Sequence, residues 1–280
     1  LSLSGVFDYF SGRPHHPVGE DGRMALSDHL RELRARLLKS ALFLTLTFLV
    51  SLFFYDQLLD VIEHPYLAAR EQLDPDTKSE VVLNGVTAGL MLQLKLCGVA
   101  AIVASSPYWL YQIWAFIVPG LHANEKKWSR LFAAIAGPLF LLGVATGYYV
   151  LPKGIEVLIG FTPNSVTNLV EFTQFFSFIT RMLLVFGVAF EIPLFVIMLN
   201  LAGVVSGKAI GKYRPWIILG TFVFAAVATP STDPFSMLML AIPMMLLFLV
   251  AEVIARWSDR IRGRRRPSTD QWADDEVSPL

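Results

Sequence analysis

The segment His29-Leu30-Arg31-Glu32-Leu33-Arg34-Ala35-Arg36-Leu37 runs directly into Ser40 to Tyr55, a stretch without a charged residue. A charged, amphipathic helix is thus fused to the mouth of a membrane span. The leucines at 26, 30, 33 and 37 recur at helical spacing and form one apolar stripe, while Arg31, Glu32, Arg34 and Arg36 take the rest of the circumference. Such a helix is expected to lie along the lipid headgroups. Ser27 is a plausible N-cap with Asp28 in the first turn, and Lys39 marks the end before the bilayer. The arginines read as an ordinary basic flank that orients the first span. Glu32 is not needed for orientation. Either it pairs with Arg36 one turn on, or it offers a negative charge to something basic.

Composition agrees with this reading. Hydrophobic residues make up 54% of the chain and charged residues 16%, against about 25% charged in a typical soluble domain. With a mean hydropathy of +0.54, the chain is a polytopic membrane protein of the all-α class. The 23 basic and 23 acidic residues cancel in sum but are segregated along the chain, and nothing supports a nucleic-acid partner.

Six apolar runs are candidate transmembrane helices, near 40–55, 86–118, 131–151, 175–202, 215–229 and 237–255. The fifth and sixth are short. The second is too long for one upright helix and contains Pro107, which predicts a tilted or kinked span with Tyr108, Trp109, Tyr111 and Trp114 at the interface. Charge alternates between the gaps. Arg31, Arg34, Arg36 and Lys39 precede the first run; Lys126, Lys127 and Arg130 precede the third; Lys208, Lys212 and Arg214 precede the fifth; Arg256, Arg260, Arg262 and Arg264 to Arg266 follow the sixth. The remaining gaps are acidic or neutral. The positive-inside rule therefore predicts six spans with both termini cytoplasmic. Residues 1–23 read as a disordered leader, with Met24 a candidate start, and 24–257 as the membrane domain. Residues 258–280 form a basic, then acidic, disordered cytoplasmic tail, whose arginines are expected to meet anionic lipid.

Ionisable groups within the apolar runs are candidate functional residues. Glu191, in Val188-Ala189-Phe190-Glu191-Ile192-Pro193, lies about 16 Å from the cytoplasmic end of the fourth run at 1.5 Å per residue. Its carboxyl is expected to be neutral, paired or facing a wet cavity, and Pro193 permits a bend. A structural carboxyl bonded inside the bundle is the plainer alternative. Lys95 is a possible partner, although its stem could equally snorkel to the outer surface. Other chemistry is missing. Cys97 is alone, the five histidines are dispersed, and no metal site, Walker A segment or dinucleotide fingerprint occurs. Gly85/Gly89 and Gly143/Gly147 have helix-contact spacing, which is common in membrane helices and identifies nothing specific.

Several separate motifs, in order, resemble the TatC family, the polytopic core subunit of the twin-arginine protein translocase. They are His29-Leu30-x-Glu32-Leu33-Arg34-x-Arg36-Leu37; Pro107-x-x-x-Tyr111-Gln112-x-Trp114-Ala115-Phe116-Ile117-x-Pro119-Gly120-Leu121 with Glu125-Lys126-Lys127; Phe186-Gly187-x-x-Phe190-Glu191-x-Pro193; Arg214-Pro215; Thr229-Pro230 to Asp233-Pro234; and Ala241-Ile242-Pro243. The match extends from about Leu26 to Trp257.

The resemblance implies a receptor in the bacterial cytoplasmic membrane for signal peptides bearing two consecutive arginines on folded cargo. It implies no catalysis and no cofactor. The family's signal-binding acids map to Glu32 and Glu125, Arg34 supports that site, and Gln112, Phe116 and Pro119 match the loop beside it. A planar guanidinium fork suits a carboxylate, so two such acids could discriminate paired arginines from lysines. By residues alone, Glu125 reads as a solvated loop charge beside Lys126 and Lys127. Glu191 matches the family's intramembrane acid. The short fifth and sixth spans would dock the single-span partners TatA and TatB, near Asp233. One departure stands out: Met237 occupies a position where many relatives carry glutamine, leaving a polar contact to a partner helix unsupported there. The acid-rich first outer loop, with Leu58, Leu59, Ile62 and Pro65, would form a cap of short helices. The resemblance further implies a homo-oligomer in a receptor complex and transport driven by the proton-motive force. A proton-coupled transporter centred on Glu191 is the rival class, but the paired half-repeats that would support it are not evident. An intramembrane hydrolase using Asp233 or Glu191 lacks a second convergent group.

Overall fold

The computed structural model describes residues 26–72, 79–117, 126–163, 167–229 and 233–265. The expected leader, most of the tail, Pro119 and Glu125 lie outside the described residues. Helix α1 (Leu26–Phe53) is continuous over 28 residues, so the amphipathic segment and the first span are one rod of about 42 Å. This corrects the expectation of a separate helix in the headgroup plane. No proline, glycine or cap interrupts the chain at Lys39-Ser40, and the Ser40 hydroxyl bonds back to the Arg36 carbonyl at 3.0 Å. Leu30 and Leu37 are exposed, while Ala35 is buried and Glu32 and Arg36 turn inward.

Helix α2 (Tyr55–Glu71) packs Ile62, Tyr66 and Ala69 onto the bundle as a cap. Pro65 inside it has no N–H, which frees the Val61 carbonyl, and the Tyr148 hydroxyl donates to that oxygen at 2.9 Å. The cap is not purely helical. Strand β1 (Ser79–Val82) pairs in parallel with β2 (Asn168–Glu171), Ser79 opposite Asn168 and Val82 opposite Glu171.

The second apolar run forms α3 (Ala88–Ala104) and α4 (Ser106–Ile117), bent by 55° at Ser105. The expected kink has a local cause. Pro107 removes one backbone donor, Ser105 bonds its hydroxyl to the Ala101 carbonyl at 2.6 Å, and the Trp109 indole N–H donates to the Ile102 carbonyl at 3.0 Å. Cys97 directs its thiol at the Ser51 carbonyl, 3.5 Å away, so α1 runs antiparallel to this pair.

Helix α5 (Lys126–Gly160) and α6 (Phe172–Leu201) form the centre of the bundle. Phe176, Ile179, Met182 and Phe186 of α6 are all but fully enclosed. The glycines explain how closely the two rods approach. A Cβ on Gly143 would meet the Phe186 carbonyl at 2.6 Å, one on Gly147 would meet the Phe186 ring at 3.0 Å, and one on Gly187 would meet the Phe140 ring at 2.6 Å. The Gly143/Gly147 pair is thus a true contact motif, whereas nothing lies within 4 Å of Gly85 or Gly89.

The short α7 (Gly207–Lys212) leads into α8 (Arg214–Ala228), whose 15 residues span about 22 Å and make it the short fifth apolar helix. Helix α9 (Pro234–Arg265) has 32 residues, so the helix extends well beyond the sixth apolar run at its carboxyl end. Among the described residues, four helices are long and apolar enough to cross a membrane; α3 with α4 supplies a bent fifth, and α8 a shorter apolar helix.

Candidate functional site

Helix α4 is the element on which the predicted residues converge. One face receives the start of α1. Arg36 donates to Glu32 Oε1 through Nε at 2.9 Å and Nη2 at 2.5 Å, and its remaining terminal nitrogen donates to Gln112 Oε1 at 3.1 Å. A planar guanidinium can serve both acceptors at once, which a lysine ammonium on a flexible stem would do less well. His29 stacks on Phe116, with ring centroids 4.3 Å apart and planes 13° from parallel. His29, Glu32 and Arg36 share a helical face at three- and four-residue spacing, so one side of α1 engages α4. Glu32 pairs with Arg36 as one of the two sequence readings anticipated; that Arg36 also reaches Gln112 was not legible there.

The other side of α4 faces the bundle interior. Trp114 is buried and donates its indole N–H to Glu191 Oε2 on α6 at 3.2 Å. Glu191 Oε1 is buried with no hydrogen-bond partner among the described residues. The expected pairing of Glu191 with Lys95 is not formed. Lys95 is exposed on α3, and the carboxyl is held by an indole on a different helix. Trp114 also stacks on Phe132 of α5 at 6.1 Å and tilts against Phe195, so aromatic rings close one side of the acid.

The remaining predicted residues are not gathered here. Arg34 sits on an exposed face of α1. Asp233 accepts the Ser236 backbone N–H at 2.7 Å and so caps the first turn of α9. Met237 is half-buried and packs against the central core.

A second polar cluster escaped the sequence reading. Glu252 of α9, only 4% exposed, receives Arg214 through Nε at 2.9 Å and Nη2 at 2.7 Å, and Arg256 at 2.7 Å. Two turns beyond Glu252, Asp259 accepts the Gly207 N–H at 2.6 Å and the Asn200 amide at 3.0 Å. These bonds tie the end of α6 and the starts of α7 and α8 to α9. The available signal was Glu252 itself, an acid inside an apolar run, four residues before Arg256 in the same spacing as Glu32 and Arg36.

No group of histidine, cysteine, aspartate and glutamate with metal-binding geometry occurs among the described residues. The arrangement offers one carboxylate, Glu32, held by a guanidinium that also reaches Gln112, and behind it a partly buried acid, Glu191. Residues 28–243 match the family described as Sec-independent protein translocase protein (TatC).

The chain belongs to the TatC family. It is 42% identical over 270 residues to the Sec-independent protein translocase protein TatC of Frankia casuarinae, covering 93% of this chain and 74% of that one. To the TatC of Xylanimonas cellulosilytica it is 38% identical over 274 residues, covering 95% and 98%. A crystal structure of the twin arginine translocase receptor TatC superposes with a TM-score of 0.69 at 28% identity, covering 83% of this chain and all of that one. As a TatC-family member, this chain is a multi-pass membrane component of a protein translocase and not an enzyme.

Proposed function

We propose that this TatC-family chain is the receptor that binds twin-arginine signal peptides, in the bacterial cytoplasmic membrane, as six spans with both termini cytoplasmic. The observation that carries the reading is Arg36 shared between Glu32 and Gln112. It fixes an acid of α1 against the end of α4, the helix that leads into the segment holding Pro119 and Glu125. A signal arginine would bind Glu32 through the carboxylate oxygen that Arg36 does not use, with Arg36 holding the acid in place, Glu125 taking the second arginine and Arg34 and Phe116 flanking. Similarity to the crystal structure of the twin arginine translocase receptor TatC supports the same class of ligand. Single-span TatA and TatB-like proteins would dock along the short α8 and near Asp233 and Met237, and folded cargo would cross using the proton-motive force. A homo-oligomeric receptor complex fits this role.

The test is site-specific photo-cross-linking in membranes from positions 32 and 125, to a precursor carrying Arg-Arg and to its Lys-Lys twin. Cross-links to the first that vanish with the second are expected. Equal cross-links, or none to either in folded protein, overturn the receptor reading and favour a proton-coupled transporter centred on Glu191. Glu125→Asp is expected to retain part of the binding and Glu125→Lys none.

A further inference from the structure

Between the first half of α5, the second half of α6 and the last turns of α9 lies an apolar groove of about 600 Å³. Its walls include Leu131, Ile135, Leu194, Val250 and Ile254, and Ser258 is the only hydroxyl that lines it. Leu131, Ile135, Val250 and Ile254 are also open on their outer sides, so the groove faces the hydrocarbon of the bilayer and not the bundle interior. Glu191 is not among its lining residues, but Phe132, Phe190 and Pro193 are, so the groove adjoins the surroundings of that acid.

We infer that this groove holds one acyl chain of an anionic phospholipid, with the phosphate seated at Arg260 and Ser258. Three observations carry this. The groove follows α9 from Leu247 to Ile261, about 21 Å at 1.5 Å per residue. A single leaflet with its headgroup layer is about 20–22 Å deep, so the groove matches one lipid in length. Its mouth is marked by Trp257, 66% exposed, an aromatic of the type that settles at headgroup level. In the sequence, basic residues lie just beyond both chain segments that bound that mouth. Arg260 is exposed and forms no ion pair among the described residues, Arg262 and Arg264 to Arg266 follow it, and Lys126, Lys127 and Arg130 precede Leu131. A guanidinium fork fits a phosphodiester, and each such basic group near an anionic surface contributes about 1 kcal/mol. Arg256 is already committed to Glu252 and is not assigned to the lipid.

The test is native mass spectrometry of the full chain, incubated with phosphatidylglycerol or phosphatidylcholine of identical acyl chains. Wild type is expected to retain the anionic lipid at least threefold better. Replacing Arg260, Arg264 and Arg265 by glutamine is expected to abolish that preference. Ile254→Trp, or Val250→Trp on the more open wall, is expected to lower retention of both lipids without changing the unfolding temperature. Equal retention by wild type, retention of neither lipid, or a preference that survives both kinds of variant overturns the inference. So does a photo-cross-linker at position 254 that captures a protein helix in place of lipid.

Discussion

Trp114 and Glu191, 77 positions apart, are joined by one indole N–H to carboxyl hydrogen bond of 3.2 Å that ties α4 to α6. The second carboxyl oxygen is buried with no partner among the described residues, so within them the acid depends on this donor. Trp114→Phe is expected to destabilise the protein by about 1–3 kcal/mol, the cost of leaving a buried polar group unsatisfied. Glu191→Leu added to Trp114→Phe should recover part of the loss, because removing both partners is nearly neutral. Labelling of the single buried thiol, Cys97, by a maleimide dye during heating reports the unfolding. Glu191→Ala is expected to spare signal binding and weaken transport; unchanged export would end that role for the acid.

Arg36 should matter more to recognition than to stability. Both partners of the Glu32 ion pair are about one-fifth exposed, so its net contribution to folding is expected to be below about 1 kcal/mol. Arg36→Ala leaves Glu32 and Gln112 without a shared donor. The preference for Arg-Arg over Lys-Lys precursors, measured by cross-linking yield from position 32, should fall roughly tenfold, as for one charge-assisted bond. Arg36→Lys should fall nearly as far.

Glycine substitutions separate true helix contact from mere spacing. Gly143→Ala places a methyl against the Phe186 backbone carbonyl, which cannot rotate away, and should cost about 1–3 kcal/mol. Gly89→Ala meets nothing and sits inside a helix, so it should be neutral or stabilise by up to about 1 kcal/mol. Thiol-labelling melts of the two variants should diverge in opposite directions from wild type.

The clasp around Glu252 predicts a graded pair. A Cβ on Gly207 would press on the Arg256 backbone, with its Cα 2.8 Å away, whereas one on Gly211 would meet side-chain atoms, the Arg256 guanidinium and Glu252 Oε1. Gly207→Ala should therefore lower the unfolding temperature more than Gly211→Ala. Adding Arg256→Ala should rescue Gly211→Ala in part, since Glu252 Oε1 remains 2.9 Å from the new Cβ, but should not rescue Gly207→Ala.

The sequence by itself determined the membrane class, the apolar runs, the kink at Pro107 and the short fifth helix, because each follows from local composition and backbone chemistry. Glu32 and Glu191 stood out for the same reason: a lone acid in apolar or basic surroundings is conspicuous in one dimension. Only tertiary structure decided their partners. Arg36 reaches Gln112 across 76 positions and Trp114 reaches Glu191 across 77, distances over which periodicity carries no information. Sequence also set the leucines of α1 on one apolar stripe of a helix expected at the lipid headgroups. In a bilayer the surroundings are as apolar as any core, so Leu30 and Leu37 face outward while the charged face closes on α4. The roles of Gly143 and Glu252 were hidden for a related reason. A glycine or a buried acid acquires meaning from what approaches it, and that is set by how the helices pack.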